Sequence, residues 1–90
     1  MFLSWLFGKK NKSLGKVVHF FDKISVAVIV LEGTLKVGDK VKITRNEESF
    51  EETVGSMQIN HQEVASATRG QEVAIKISRP TKGGAMVYKV

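Results

Sequence analysis

Two histidines, a cluster of glutamates and a scatter of lysines and arginines are the side chains of this chain that could do chemistry. A metal centre needs three or four converging ligands. His61 with Glu63, or His19 with Asp22, offers two at most. Both histidines are therefore expected at strand ends or in loops, with no metal held. There are no cysteines, which excludes disulfides and thiolate metal or redox centres. Serine nucleophiles sit on a Gly-x-Ser-x-Gly turn and need a histidine oriented by an acid; no such set is found. Glu47, Glu48, Glu51 and Glu52 flank a polar stretch. Paired acids do acid–base work when burial separates their pKa values. Four glutamates beside a turn read instead as a solvated face.

Phosphate loops fail as well. The motif Gly-x-x-x-x-Gly-Lys-Ser/Thr lets backbone amides cradle phosphate while the hydroxyl binds magnesium. Gly33–Gly38 has the glycine spacing, but Asp39 and Lys40 follow, and an aspartate there repels phosphate. Around Gly15-Lys16 the first glycine falls on Lys10 and the hydroxyl position on Val17. The chain is expected not to be an enzyme, to bind no nucleotide and to carry no cofactor. What remains is binding chemistry. Lys36, Lys40, Lys42 and Arg45 are the candidate contacts to RNA or a protein partner, because such cations meet phosphate without reading sequence. The same cations also serve solubility and edge protection. Phe20, Phe21 and Tyr88 are aromatics of the kind that stack on bases, although core packing suits at least two of them better.

The elements that position these residues read as all-β. Lys16–Phe21 is a strand and Asp22-Lys23 a turn. Ile24–Leu31 is an apolar, β-branched run interrupted by Ser25, as in a strand buried on both faces or one crossing between the barrel wall and an overlying layer. Gly38-Asp39 supplies turn chemistry. In Lys40–Arg45, Val41 and Ile43 point inward while Lys40, Lys42 and Thr44 point out. Phe50–Asn60 reads as one longer strand whose inward parity changes at Gly55, as at a bulge or corner. His61–Gly70 is expected to be a loop with a helical turn at Glu63–Thr68. In Glu72–Ser78 the residues Val73, Ile75 and Ile77 face inward. Arg79–Gly84 is a turn, and Ala85–Val90 closes the fold with Met86 and Tyr88 toward the core. Short strands at hairpin spacing argue for a small closed barrel of six to seven strands, which also removes exposed edges.

Residues 1–14 differ in kind from 15–90, and the expected division is a leader followed by one domain. Phe2, Leu3, Trp5, Leu6 and Phe7 are apolar; Lys9, Lys10 and Lys12 follow Gly8. Residues 1–16 hold Lys9, Lys10, Lys12 and Lys16 and no acid, which is most of the net charge of +5; residues 17–90 hold ten basic and nine acidic side chains, so the domain itself is nearly balanced. A secretory signal places its charges before a longer apolar run, the reverse of this order. The leader reads either as an interfacial docking segment, with aromatics in the headgroup layer and lysines on anionic lipid, or as a start peptide that is disordered or folds back. No apolar run of about 18 residues exists to span a membrane as a helix. A cytoplasmic chain is expected.

These strands and turns, in this order, resemble the translation-protein β-barrel, the second domain of elongation factor Tu and its relatives. The resembling residues are Gly33, Leu35, Gly38, Asp39, Val41, Ile43 and Met57, then Val64, Ala67, Gly70, Val73 and Ile75. Small translation elongation factor-like proteins are similar, as is the barrel at the C-terminus of collagenase-like peptidases. There the matching strings are Gly15-Lys-Val-Val-His-Phe-Phe21, Ser56-Met-Gln-Ile59 and Val87-Tyr-Lys-Val90. The resemblance covers residues 15–90. It implies contact with RNA, and in some relatives with the ribosome or a GTPase domain. No string matches the pocket that holds an aminoacyl end, so no residue is carried over to that role. The expected function is a non-catalytic binding module contacting RNA, the ribosome or a protein partner. A membrane-tethered adaptor, or an accessory domain of a separately encoded enzyme, are the alternatives.

Overall fold

The computed structural model describes residues 13–90. Phe2, Leu3, Trp5, Leu6, Phe7, Lys9, Lys10 and Lys12, the expected docking segment, lie outside the described residues. The sheet already includes Ser13 and Leu14, ahead of the expected boundary at Gly15.

Ten strands follow one another along the described residues: β1 (Ser13–Phe21), β2 (Val26–Leu31), β3 (Leu35–Lys36), β4 (Lys40–Arg45), β5 (Glu48–Thr53), β6 (Met57–Ile59), β7 (Gln62–Val64), β8 (Ser66–Ala67), β9 (Glu72–Lys76) and β10 (Met86–Lys89). Eight form one antiparallel sheet in the order β5-β4-β10-β1-β2-β9-β6-β7, and β3 pairs with β8 in a separate ribbon. This corrects the expected closed barrel of six to seven strands. Among the described residues the main ladder is open and ends on β5 and β7.

Turn chemistry explains the extra strands. Asn60 and His61 both adopt positive φ, 52° and 68°, between the paired Ile59 and Gln62. A two-residue hairpin with positive φ at both central positions matches the right-handed twist of its strands. His61–Gly70 is therefore a hairpin return through β7 and β8, and no helical turn forms at Glu63–Thr68. The expected long strand Phe50–Asn60 is likewise two strands, divided at Val54–Ser56. The parity change at Gly55 brings both halves inward: Val54 and Met57 are buried, with Phe50 and Ile59 packed against them.

The turn before β4 holds as read. Gly38 sits at φ 98°. The Asp39 amide donates to the Lys36 carbonyl at 3.0 Å, and the Lys36 amide donates to Asp39 Oδ2 at 3.0 Å. Asp39 thus closes the turn from both its backbone and its side chain.

Sixteen apolar side chains, drawn from both sheets and their connections, form one core cluster. No polar or charged side chain is buried among the described residues. Alternation decides which residues enter it. Ala27, Ile29 and Leu31 are buried while Val26, Val28 and Val30 are half-buried, so β2 has one core face rather than two. On β10 the expected parity is reversed. Val87 pairs with Ile43, and directly opposed residues share a face of the sheet. Because Ile43 points inward, so does Val87. Ala85 and Val87 are fully buried, and Met86 and Tyr88 lie half-buried on the outer side.

β1 crosses β2 at a position where only glycine fits. A Cβ on Gly15 would lie 2.7 Å from the Val30 carbonyl oxygen and 2.8 Å from Ile29 Cγ2. The nearest atom is backbone, so the strands must separate. Gly15→Ala is expected to cost about 1–3 kcal/mol, as overpacked cores do. Gly38→Ala meets no atom within 4 Å and is expected to lose only about 1–2 kcal/mol from its left-handed backbone. Urea unfolding midpoints of the two variants check both values.

Candidate binding cleft at one end of the sheet

The cleft is built where β4 turns into β5. Val41 and Ile43 enter the core, and Arg45 shares their parity. At the end of the strand its head no longer meets core and is half-buried at the rim. Asn46, at φ 56°, starts the return. β5 then brings Phe50 opposite Ile43, against the core.

The second wall is the segment between β9 and β10. Its start is tied down twice. The Ile77 amide donates to the Ser25 carbonyl at 2.9 Å. The Ser78 amide and hydroxyl both donate to Glu52 Oε1, at 3.1 and 2.8 Å. Its far end is fixed by the Gly84 amide on the Val17 carbonyl at 2.7 Å, and by the Val17 amide on the Ala85 carbonyl at 2.8 Å. Gly84 has φ 96°, and a Cβ on Gly83 would press on the Val18 carbonyl at 3.2 Å. Between these ties Arg79 lays its guanidinium 5.4 Å from the centroid of the Phe50 ring. Such a cation–π contact stabilises by roughly 0.5–1 kcal/mol when exposed.

The resulting cleft measures about 550 Å³. Arg45, Arg79 and Lys82 line it together with Phe50, and Glu47 and Glu48 form part of its wall. A second cleft of about 520 Å³ lies on the other side of Pro80–Lys82, lined by Val18, His19, Phe20 and Asp22. Val18 is the extra residue of a bulge in β1, between the pairs Val17↔Ile29 and His19↔Val28. The His19 ring sits 4.3 Å from that of Phe21, and His61 occupies the β6–β7 turn.

The four cations expected to act together are divided. Lys36, Lys40 and Lys42 are exposed, and Lys40 and Lys42 share the outer face of β4. Arg45 belongs to the cleft instead. The outer face is also partly neutralised: Lys40 Nζ lies 3.7 Å from Glu51 Oε1, and Lys42 pairs across the ladder with the same Glu51. Lys89 Nζ meets Asp39 Oδ2 at 3.7 Å. Exposed pairs of this kind hold little energy, about 0–1 kcal/mol, but they neutralise the surface. Among the four glutamates expected on a solvated face, Glu52 is half-buried and anchors Ser78. The sequence reading missed Phe50, Arg79 and Lys82 as site residues. Their one local signal was two cations in a proline- and glycine-bearing turn. Among the described residues no group of three or more metal-ligating side chains converges.

The elongation factor Tu domain 2 family model matches residues 26–83. The chain belongs to that family. It is also 42% identical over 76 residues to a Methanocaldococcus jannaschii protein named as the uncharacterized protease MJ0090. That alignment takes in 83% of this chain but only 19% of the relative, so the chain spans about a fifth of the relative's length. Two crystal structures of the C-terminal domain of a Geobacillus thermoleovorans protein described as a U32 peptidase share the fold. The selenomethionine form superposes with a TM-score of 0.82 at 21% identity, covering 87% of this chain and 99% of that one. The other gives 0.82 at 22% identity, covering 89% and 92%.

Glu52 is the long-range tie that holds the Arg79 wall, and it is not part of the core. Glu52→Ala is expected to lower global stability by about 1 kcal/mol, the usual net size of a lost hydrogen bond. It should also speed amide exchange across residues 78–82. Hydrogen exchange by mass spectrometry, alongside a urea melt, reads both effects.

Proposed function

We propose that this chain is a non-catalytic binding module of the elongation-factor-like type, contacting RNA, the ribosome or a protein partner. The observation that supports this most is the cleft. Arg45, Arg79 and Lys82, from two segments far apart in sequence, line it together with Phe50, whose ring Arg79 meets, and the connecting segment is fastened at both ends. Such a site orients an anionic or planar group without needing a nucleophile or a metal. A cytoplasmic location suits this role, and no helix among the described residues is long and apolar enough to cross a membrane.

An accessory role beside an enzyme is the second reading. It is favoured by the likeness to a C-terminal domain of a protein described as a U32 peptidase, and by a relative named as a protease, of whose length the alignment takes in 19%. In that reading the domain supplies binding and the larger protein the chemistry. Membrane tethering through Phe2–Phe7 and the lysines after it is a further form of the module.

Co-sedimentation of the full chain with ribosomes across a salt series tests the leading form. Association is expected at low salt and should fall steadily as salt rises, because each neutralised phosphate releases counterions. Association absent even at low salt removes the ribosomal form. Recovery of one enzyme by affinity capture under the same conditions would establish the accessory form. Liposome flotation with and without residues 1–14 decides the tethered one, since equal behaviour of the two proteins excludes it.

A further inference from the structure

We propose that the outer face of β2 and its neighbouring strands is the seat of this chain's own leader, with Phe2–Phe7 laid across the valines of β2. The inference stands apart from the binding-module reading and uses neither cleft.

Register defines the face. Ala27, Ile29 and Leu31 enter the core, so Val26, Val28 and Val30 point to the outer side, where all three are half-buried. Directly opposed residues share a face of the sheet. Val28 stands opposite Ala74 of β9 and His19 of β1, and Val26 opposite Phe21. Met86 adjoins the stripe through Lys16, which pairs with both Met86 and Val30. The result is an apolar stripe on the outside of the domain, and Phe21 at its end is 46% exposed. None of the described strands lies over it. The β3–β8 ribbon sits on the core side, through Leu35 and Ala67. Contiguous apolar surface of this kind marks a docking site.

Connectivity names the occupant. The leader joins β1 at Ser13, which pairs with Tyr88, three residues before the row of Lys16 and Val30. Three residues of strand measure about 10 Å. Residues 8–12 span up to about 17 Å when extended, so a reversal at Gly8 brings Phe7 over Val30. Residues 2–7 then run about 20 Å, against about 13 Å from Val30 to Val26. Phe2, Leu3, Trp5, Leu6 and Phe7 fill five of those six positions, and removing them from water drives the contact. Charge agrees with this path. Lys9, Lys10 and Lys12 occupy the connecting stretch. At that end of the stripe lie Glu32, whose amide donates to the Leu14 carbonyl at 2.8 Å, and Glu72, opposite Val30. They outnumber Lys16, the cation on the same row. A lipid surface or a second copy of the chain must arrive by diffusion. The leader is covalently held beside the stripe at millimolar effective concentration, which favours it over both. A docked leader also withholds its aromatics from lipid, so seating and membrane tethering exclude each other.

Trp5 is the one tryptophan of the chain, and its fluorescence reports the seat directly. Emission and acrylamide quenching are measured for the full chain over a dilution series, for a Val28→Asp variant, and with phosphatidylserine vesicles. The native chain is expected to show a blue-shifted, weakly quenched Trp5 at every dilution. Val28→Asp changes no core side chain and should lower the ratio of docked to free leader about tenfold, as the loss of one buried apolar side chain does. Its Trp5 should shift to the red and quench several times more readily. Ala74→Glu, on the next strand, is read the same way if Val28→Asp alters the circular dichroism of the sheet. A Trp5 as open to quenching in the native chain as in these variants overturns the proposal. Protection that both variants retain places the leader elsewhere and overturns it too. Protection lost on dilution would make a second copy the occupant, and protection gained only with vesicles would make it lipid; either result overturns the proposal. None of these outcomes touches the end cleft, so the module reading stands or falls separately, on its own sedimentation test.

Discussion

Strand register is the constraint on which the rest of this structure depends. Side chains alternate across a strand, so a slip of one residue exchanges every inward side chain for an outward one. On β4 such a slip would put Lys40 and Lys42 where Val41 and Ile43 now lie, inside a core with no buried polar side chain among the described residues. The turns hold that register. Asp39 closes one with its amide and carboxylate, and Asn60-His61 closes another with two positive φ angles. Gly15 adds a third fixed point, since β1 and β2 approach too closely there for a side chain. The end cleft follows from the same rule, because parity along β4 is what sends Arg45 to the core side of the sheet.

Much of this was legible in the sequence where signals were local. Val41 and Ile43, and Val73, Ile75 and Ile77, alternate over enough residues to declare their face, and all five are buried. The Gly38-Asp39 turn announced itself by residue type. β10 was misread because Ala85 is small and Met86 and Tyr88 are large. Size suggested the core, whereas the partner strand decided it through Val87↔Ile43. The stretch after Ile59 was misread because Asn60-His61 lacks the glycine that usually marks a tight hairpin. Arg45 could have been placed by counting parity from Ile43. Phe50, Arg79 and Glu52 could not, since their contacts join residues 26 or more apart and leave no spacing to read.

The core carries none of the candidate chemistry. It is made of aliphatic side chains, methionine and alanine, and similar cores are reached by very different sequences. A TM-score of 0.82 at 21% identity fits that expectation. Function in such a domain is written on rims and loops. Here the Arg79–Lys82 segment is the richest of these, because it forms a wall of both clefts at once. Anything that moves Pro80 or Thr81 toward one cleft changes the other.

The open ladder has a consequence for how copies of this chain behave near one another. Among the described residues β5 and β7 each keep one side free of a ladder partner, and a bare edge invites pairing with another edge. β5 carries Glu48, Glu51 and Glu52 within six residues. Two such edges brought together would set these carboxylates near one another, and like charges directly opposite destabilise a strand pair. These acids put like charge along the edge, a guard against edge-to-edge pairing. That guard is electrostatic, so concentrated salt weakens it while leaving the core untouched.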